Sequence, residues 1–183
     1  MDYLRWGVLG ASKFALEHLT PAIQLAKNNR FNALASGSKE KSAEFVMLEP
    51  EIELYESYNE LLADDGIDAV YIPLPNTMHV DWTVQAIKSG KHVLCEKPIA
   101  MRAEEINELI KLRDDTGLLV AEAYMIVHHP QWQKAREIVQ SGILGDLIQV
   151  DSVFSYNNQA DLENIRNNSK MGGGGLPDIG VYT

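Results

Sequence analysis

Residues 4–15 read Leu4-Arg5-Trp6-Gly7-Val8-Leu9-Gly10-Ala11-Ser12-Lys13-Phe14-Ala15. A short apolar run ends in a turn of small residues, and Leu16, Leu19, Ile23 and Ala26 then recur at helical spacing. A buried strand feeding tightly into a helix is the opening unit of a parallel sheet. The turn aligns with the dinucleotide fingerprint G-x-G-x-x-G/A as Gly10-x-Ser12-x-x-Ala15. Its first position permits the tight turn, and its small last residue lets the helix pack on the strand. Amides at the helix start, around Lys13 and Phe14, are then placed to receive a pyrophosphate. Ser12 replaces the middle glycine, remains small and adds a hydroxyl. Tight turns favour small residues in many folds, so this segment alone also suits an adenosylmethionine-binding relative.

The pattern repeats outward from this unit. Further strands are expected at Asn32–Ala35, Ala69–Ile72, His92–Cys95 and Leu118–Ala121, each nearly continuous in apolar residues. Such runs suit strands buried on both faces. Ile106, Leu109 and Ile110 mark a helix after Glu104-Glu105. The alternation predicts an α/β fold with a doubly wound parallel sheet. We place a domain boundary near Ala121–Val127, giving 1–123 and 124–183. Beyond it, His128-His129-Pro130 breaks the chain, and Trp132, Ala135, Ile138 and Val139 mark a helix stopped at Ser141-Gly142. Leu147–Ser155 alternates in the manner of a strand with one buried face. Tyr156–Lys170 is polar and Asn-rich, a loop by composition, and Gly172–Gly175 is a run of glycines.

The end of the second strand carries chemistry. A site preferring NAD has Asp or Glu there for the ribose 2′-hydroxyl. Here the stretch is Ala35-Ser36-Gly37-Ser38-Lys39-Glu40-Lys41. Hydroxyls and ammonium groups in place of an acid suit a 2′-phosphate and point to NADP over NAD. The same Ser38 also reads as an N-cap for the following helix.

Composition excludes several classes. The chain has 183 residues and a formal net charge of −10. No Lys or Arg lies between Lys41 and Lys88, while Glu44, Glu49, Glu51, Glu53, Glu56, Glu60, Asp64, Asp65, Asp68 and Asp81 do. An acidic chain repels phosphate backbones, so no nucleic-acid partner is expected. No apolar run approaches a membrane span of about 18 residues, and Met1-Asp2-Tyr3-Leu4-Arg5 lacks a signal-peptide pattern. Cys95 is the one cysteine, which fits a reducing, cytoplasmic setting. Adjacent His128 and His129 point to opposite sides of an extended segment without a Cys or carboxylate constellation, so no metal site is expected.

Three segments name a family. Residues 69–79 read AVYIPLPNTMH, residues 90–100 read GKHVLCEKPIA, and residues 172–182 read GGGGLPDIGVY. Together they resemble the Gfo/Idh/MocA oxidoreductases, in the branch of glucose–fructose oxidoreductase and dimeric dihydrodiol dehydrogenase. The resemblance covers essentially the entire chain. It implies an N-terminal Rossmann domain followed by the start of an α/β domain with an open antiparallel sheet. It also implies hydride transfer between NAD(P) and a sugar-like, polyol-like or dihydrodiol-like alcohol or carbonyl.

The same resemblance assigns roles. Lys97 matches a lysine placed between substrate and nicotinamide, where an ammonium polarises a carbonyl or stabilises an alkoxide. Tyr182 matches a catalytic tyrosine. A phenol titrates near about 10, and a neighbouring ammonium would lower that value and fit it to proton transfer. Asp178 matches a substrate-orienting aspartate, and on one helix it would share a face with Tyr182. Pro73, Leu74, Asn76 and His79 match a loop contacting adenosine and ribose. Glu96 matches a residue near the nicotinamide ribose, and Arg166 an arginine that touches cofactor.

The chain departs from the family at Ile165, where a tryptophan is usual, at Val127, where an arginine is frequent, and at Pro177. Pro177 reads as a helix start. A second function class is a cofactor-sensing regulator of the same fold, which has no need of Lys97, Asp178 and Tyr182. The family forms homo-oligomers through the C-terminal sheet. A strand at Leu147–Ser155 would open that sheet without finishing it, so 183 residues are expected to be an incomplete chain lacking roughly a domain.

Overall fold

The first strand forms where the opening stretch places it, and its right to be there is set by burial. In the computed structural model, which describes residues 3–157, 161 and 164–183, β1 spans Leu4–Leu9, and Val8 and Leu9 are fully buried. It is followed by α1, a helix whose first part, Ala15–Leu19, has wide π-type bonding before Thr20–Leu25 continues as regular helix. The Thr20 hydroxyl donates to the Ala15 carbonyl at 3.0 Å, inside that widened segment.

The elements then alternate as β2 (Asn29–Ala35), α2 (Lys39–Leu48), β3 (Glu53–Tyr55), α3 (Tyr58–Ala63), β4 (Ala69–Ile72), α4 (His79–Lys88), β5 (His92–Glu96), α5 (Ala103–Thr116) and β6 (Val120–Ala123). The sheet order is β3-β2-β1-β4-β5-β6. β1 pairs in parallel with β2 and β4, β2 with β3, and β4 with β5. This is the doubly wound Rossmann order, which reverses between β1 and β4. Because the strands are parallel, the residues that follow them, Gly10, Ser36, Pro73 and Lys97, all leave the sheet at one edge.

Local chemistry sets the boundaries. Ser57 accepts from the Glu60 amide and Glu60 from the Ser57 amide, a capping box that opens α3. Gly117 takes the left-handed conformation (φ +70°) that closes α5, a cap that L side chains resist. The core lies between sheet and helices, with Leu9, Ala33, Ala35, Leu61, Val70, Ile72, Ala86, Ile87 and Cys95 nearly inaccessible. Each large apolar side chain so buried contributes about 1.5–3 kcal/mol. Lys91 is buried as well, and its ammonium donates to the carbonyls of Asp64 (2.7 Å) and Ile67 (2.9 Å). That pairing offsets the desolvation of its charge.

Several expectations are corrected. β3 is an additional strand. It carries three residues, and Glu53 and Leu54 are exposed, so no apolar run announced it. An edge strand needs only one partner, and β2 supplies it. β6 begins two residues later than the apolar run Leu118–Ala121. On α5 the buried residue is Leu109, whereas Ile106 and Ile110 are exposed.

The structure separates into two units, Met1–Glu122 and Ala123–Thr183. In the second, α6 spans Pro130–Gln140 and is followed by left-handed Gly142. Leu147–Ser155 forms no strand. Ile148 and Val153 are 92% and 91% exposed, and among the described residues no neighbouring strand offers a ladder. Alternation supplies a face but not the hydrogen-bond partner that a strand requires. The later part of the unit is built from short turns at Ile165–Asn167 and Ser169–Met171 and from α7 at Gly175–Asp178. Asn158, Gln159, Ala160, Leu162 and Glu163, within the expected loop, lie outside the described residues, as do Met1 and Asp2.

Candidate cofactor and catalytic site

The glycine turn has the geometry that its spacing called for. Gly10 has φ +103°, and a Cβ there would lie 2.7 Å from Leu74 Cδ2 and 3.5 Å from the Tyr58 hydroxyl. The turn is tied to the neighbouring strand by the Gly10 amide, which donates to the Ala35 carbonyl at 2.9 Å. Ser12 caps the helix: its Oγ accepts from the Ala15 amide at 3.0 Å. The hydroxyl proton of Ser12 is left to donate elsewhere, since the cap uses a lone pair only. Lys13 extends from the same turn and approaches Glu17 at 3.6 Å, and Phe14 packs on His18. A tight turn with no room for a side chain and a helix start beyond it fits a dinucleotide pyrophosphate.

At the tip of β2, Ser36 Oγ accepts from the Ser38 amide at 3.1 Å, and Ser38 Oγ accepts from the Lys41 amide at 3.3 Å. Ser38 is therefore the N-cap of α2, and its hydroxyl proton remains a donor. Nothing lies within 4 Å of where a Gly37 Cβ would stand. Lys39 and Lys41 are exposed. The open, cationic and acid-free tip has room for a phosphate.

The loops after β4 and β5 are bound to one another by His79. Its ring is fully buried, with Nε2 2.8 Å from the Leu74 carbonyl and Nδ1 2.7 Å from the Pro98 carbonyl. Both nitrogens are engaged by backbone, so His79 has none to offer a ligand. Its expected contact with cofactor is corrected to a brace between two loops. Leu74 is also buried, packed beneath Gly10. Pro73 and Asn76 flank it, both partly exposed.

Glu96 ends β5, and its Oε1 accepts from the buried Tyr71 hydroxyl at 2.7 Å. Lys97 follows, half-buried, with its amide 3.3 Å from Glu96 Oε2 and a cis peptide to Pro98. The Ile99 amide donates to Glu122 Oε1 at 2.8 Å. The turn carrying Lys97 is thus held on three sides, by Glu96, His79 and Glu122. Tyr71 and Glu122 were not singled out from sequence. One reads as a core aromatic and the other as a surface acid until the fold brings them to this turn. Cys95, fully buried next door, has its thiol pushed well above the usual range by burial, which makes it unreactive.

In the second unit, Asp178 is the centre of a small network. Oδ1 accepts from Arg166 Nε at 2.7 Å and Oδ2 from the Tyr156 hydroxyl at 2.7 Å. The carboxylate raises the Tyr156 phenol above its ordinary value. Tyr182 stacks on Tyr124 with centroids 5.5 Å apart and lies 6.1 Å from Phe154. A cavity of about 260 Å³ beside it is lined by Tyr124, Ile126, Trp132 and Arg136, among others. The helix that was to align Asp178 with Tyr182 stops at Asp178; Ile179 leaves helical geometry, and Gly180–Tyr182 is a separate turn. Pro177 lies in that short helix. Gly173 has no space for a side chain, because a Cβ would collide with the backbone oxygens of Ile165 and Arg166. His129 caps α6 by accepting from the Gln131 amide. Among the described residues no three His, Cys, Asp or Glu groups gather to hold a metal, and no helix is long and apolar enough to cross a membrane.

The family model described as "Oxidoreductase family, NAD-binding Rossmann fold" matches residues 4–124, and the "GFO/IDH/MocA C-terminal domain" matches residues 132–183. The chain belongs to the Gfo/Idh/MocA family. It is 42% identical over 182 residues to an uncharacterized oxidoreductase, ORF334, of Rhizobium meliloti, covering 100% of this chain and 54% of that protein. It is 38% identical to a dTDP-3,4-didehydro-2,6-dideoxy-α-D-glucose 3-reductase of Streptomyces violaceoruber, covering 98% and 52%. Among solved structures it is similar to KijD10, a 3-ketoreductase from Actinomadura kijaniata in complex with NADP and TDP-benzene. There the TM-score is 0.83 at 31% identity, over 99% of this chain and 55% of that one. The chain spans about half the length of the curated relatives it matches. In this family the N-terminal unit is the NAD-binding Rossmann domain.

Proposed function

We propose that this chain is the cofactor-binding and proton-handling part of an oxidoreductase that interconverts an alcohol and a carbonyl on a sugar-like or dihydrodiol-like substrate, with NADP preferred over NAD. The observation that carries the proposal is the braced lysine. Lys97 leaves the same sheet edge as the glycine turn, on a turn held by Glu96, His79 and Glu122. A surface lysine has no need of such support, whereas a group that must meet a reacting oxygen does.

Gly10, Ser12, Lys13 and Phe14 would hold the pyrophosphate. Ser36, Gly37, Ser38 and Lys41 would take the adenosine ribose and its 2′-phosphate, Pro73, Leu74 and Asn76 the adenosine side, and Glu96 the nicotinamide ribose. Bound nicotinamide supplies the hydride acceptor or donor. The Lys97 ammonium polarises the substrate carbonyl, or stabilises the alkoxide in the opposite direction. The Tyr182 hydroxyl gives the proton that converts alkoxide to alcohol, or takes it back. Asp178 orients the substrate, and Arg166 and Tyr156 keep that carboxylate in place. The exposed apolar residues Ile148, Val150 and Val153 support assembly through the second domain, and the single buried cysteine supports a cytoplasmic setting.

The test is Lys97→Met in the full-length protein, assayed with NADPH and NADH on a panel of sugars, keto sugars and dihydrodiols. Turnover should fall by roughly 10²–10⁴-fold while NADPH fluorescence titration still reports binding. Unchanged turnover overturns the assignment. Tight NADPH binding by the unaltered protein with no turnover on any substrate would instead support the cofactor-sensing regulator.

A further inference from the structure

Tyr58 opens α3, and its ring is held from two directions. The Ser57–Glu60 capping box sets the first turn of the helix. Trp82 of α4 meets the ring edge-on, with centroids 4.8 Å apart and planes at 90°. The hydroxyl faces the glycine turn, 3.5 Å from where a Cβ on Gly10 would stand. Among the described residues it has no hydrogen-bond partner. Burial raises its pKa above that of an ordinary phenol, so at neutral pH it is a protonated donor.

This side of the turn carries no cationic side chain. It is built by α3 and the β4–α4 loop, inside the Lys41–Lys88 span that holds no Lys or Arg. A fixed, neutral donor beside a dinucleotide-type turn, given nothing by the protein to donate to, is matched to an oxygen on a ligand. We propose that Tyr58 is a cofactor-binding residue whose hydroxyl donates to a ribose or pyrophosphate oxygen in the ADP half of NAD(P). The inference rests on the cofactor reading above. It adds a contact from the third helix, which neither the fingerprint turn nor the tip of β2 includes.

Tyr58→Phe keeps the ring and its contact with Trp82 and removes only the hydroxyl. The full-length protein is titrated with NADPH by fluorescence and with ADP-ribose, which lacks nicotinamide, by calorimetry. Both dissociation constants should rise by the same factor, roughly 5- to 50-fold. The ligand-free melting temperature should stay as it was. Equal affinity in the two proteins overturns the inference and leaves the cofactor reading standing, whereas no NADPH binding by the unaltered protein overturns that reading itself. Weakened NADPH binding with unchanged ADP-ribose binding overturns the placement on the ADP half.

Discussion

Replacing His79 by leucine should be among the most costly single changes in the first unit. The leucine has similar bulk and creates little cavity, so the cost comes from hydrogen bonds. The imidazole is fully buried, 2.8 Å from the Leu74 carbonyl and 2.7 Å from the Pro98 carbonyl. Leucine leaves the carbonyl that accepts from the ring N–H without its partner. A ring with one N–H donates to only one of the two carbonyls, and an acceptor so orphaned costs about 1–3 kcal/mol, so the change predicts a loss of about 1–3 kcal/mol. The loss has a second expression. Leu74 underlies Gly10 and Pro98 adjoins Lys97, so both loops should loosen together, and NADPH affinity and kcat should fall with stability. Urea unfolding followed by circular dichroism measures the first, and steady-state kinetics the second. His79→Gln retains one donor and should recover part of the stability. A loss below about 1 kcal/mol for His79→Leu, with unaltered kinetics, would show that the ring is packing volume and that the brace is not one.

Gly10→Ala should destabilise by about 1–3 kcal/mol and weaken NADPH binding at least roughly tenfold, since the position combines φ +103° with a Cβ contact of 2.7 Å to Leu74. Adding Leu74→Ala should relieve the contact but not the φ and rescue in part; binding equal to the unaltered protein would refute the close approach. Asp68 is held below its ordinary pKa, first by the hydrogen bond from the Arg5 guanidinium at 2.7–2.8 Å. A depressed folded-state pKa stabilises above the unfolded value of about 3.9, and the contribution is lost as pH falls through the folded one. Asp68→Asn should therefore lower the melting temperature at pH 7 and flatten its decline below about pH 4; parallel acid limbs in the two proteins would contradict the ion pair's part in stability.

Much of the first unit was legible because its signals are local and redundant. Leu4–Leu9 and Ala69–Ile72 form strands with the bounds that their apolar runs imply, since strands buried on both faces need nearly every residue apolar. Gly10, Ser12 and Ala15 mark their turn by size alone. β3 escaped notice because an edge strand with exposed Glu53 and Leu54 carries no such run. Leu147–Ser155 misled for the converse reason: its alternation is real, yet a strand is completed by a neighbour that spacing does not reveal. His79, expected at the cofactor, stands at the start of α4 with its ring between two carbonyls; a histidine facing a ligand and one clamped between two carbonyls look the same in one dimension. Tyr58 and Glu122 had no local mark at all.

By itself, then, the order of residues determined the alternating α/β class, the dinucleotide-type turn, the acid-free tip of β2 and the family through Glu96-Lys97-Pro98. These depend on size, charge and period within a few residues of one another. The tertiary structure alone decided which groups serve the lysine turn. Glu96 is held by Tyr71, Pro98 by His79 and Ile99 by Glu122, pairs separated by 19 to 25 residues in sequence. A hydrogen bond is decided by distances of about 3 Å and by direction, and only the parallel sheet brings those loops to a common edge where such distances can be met.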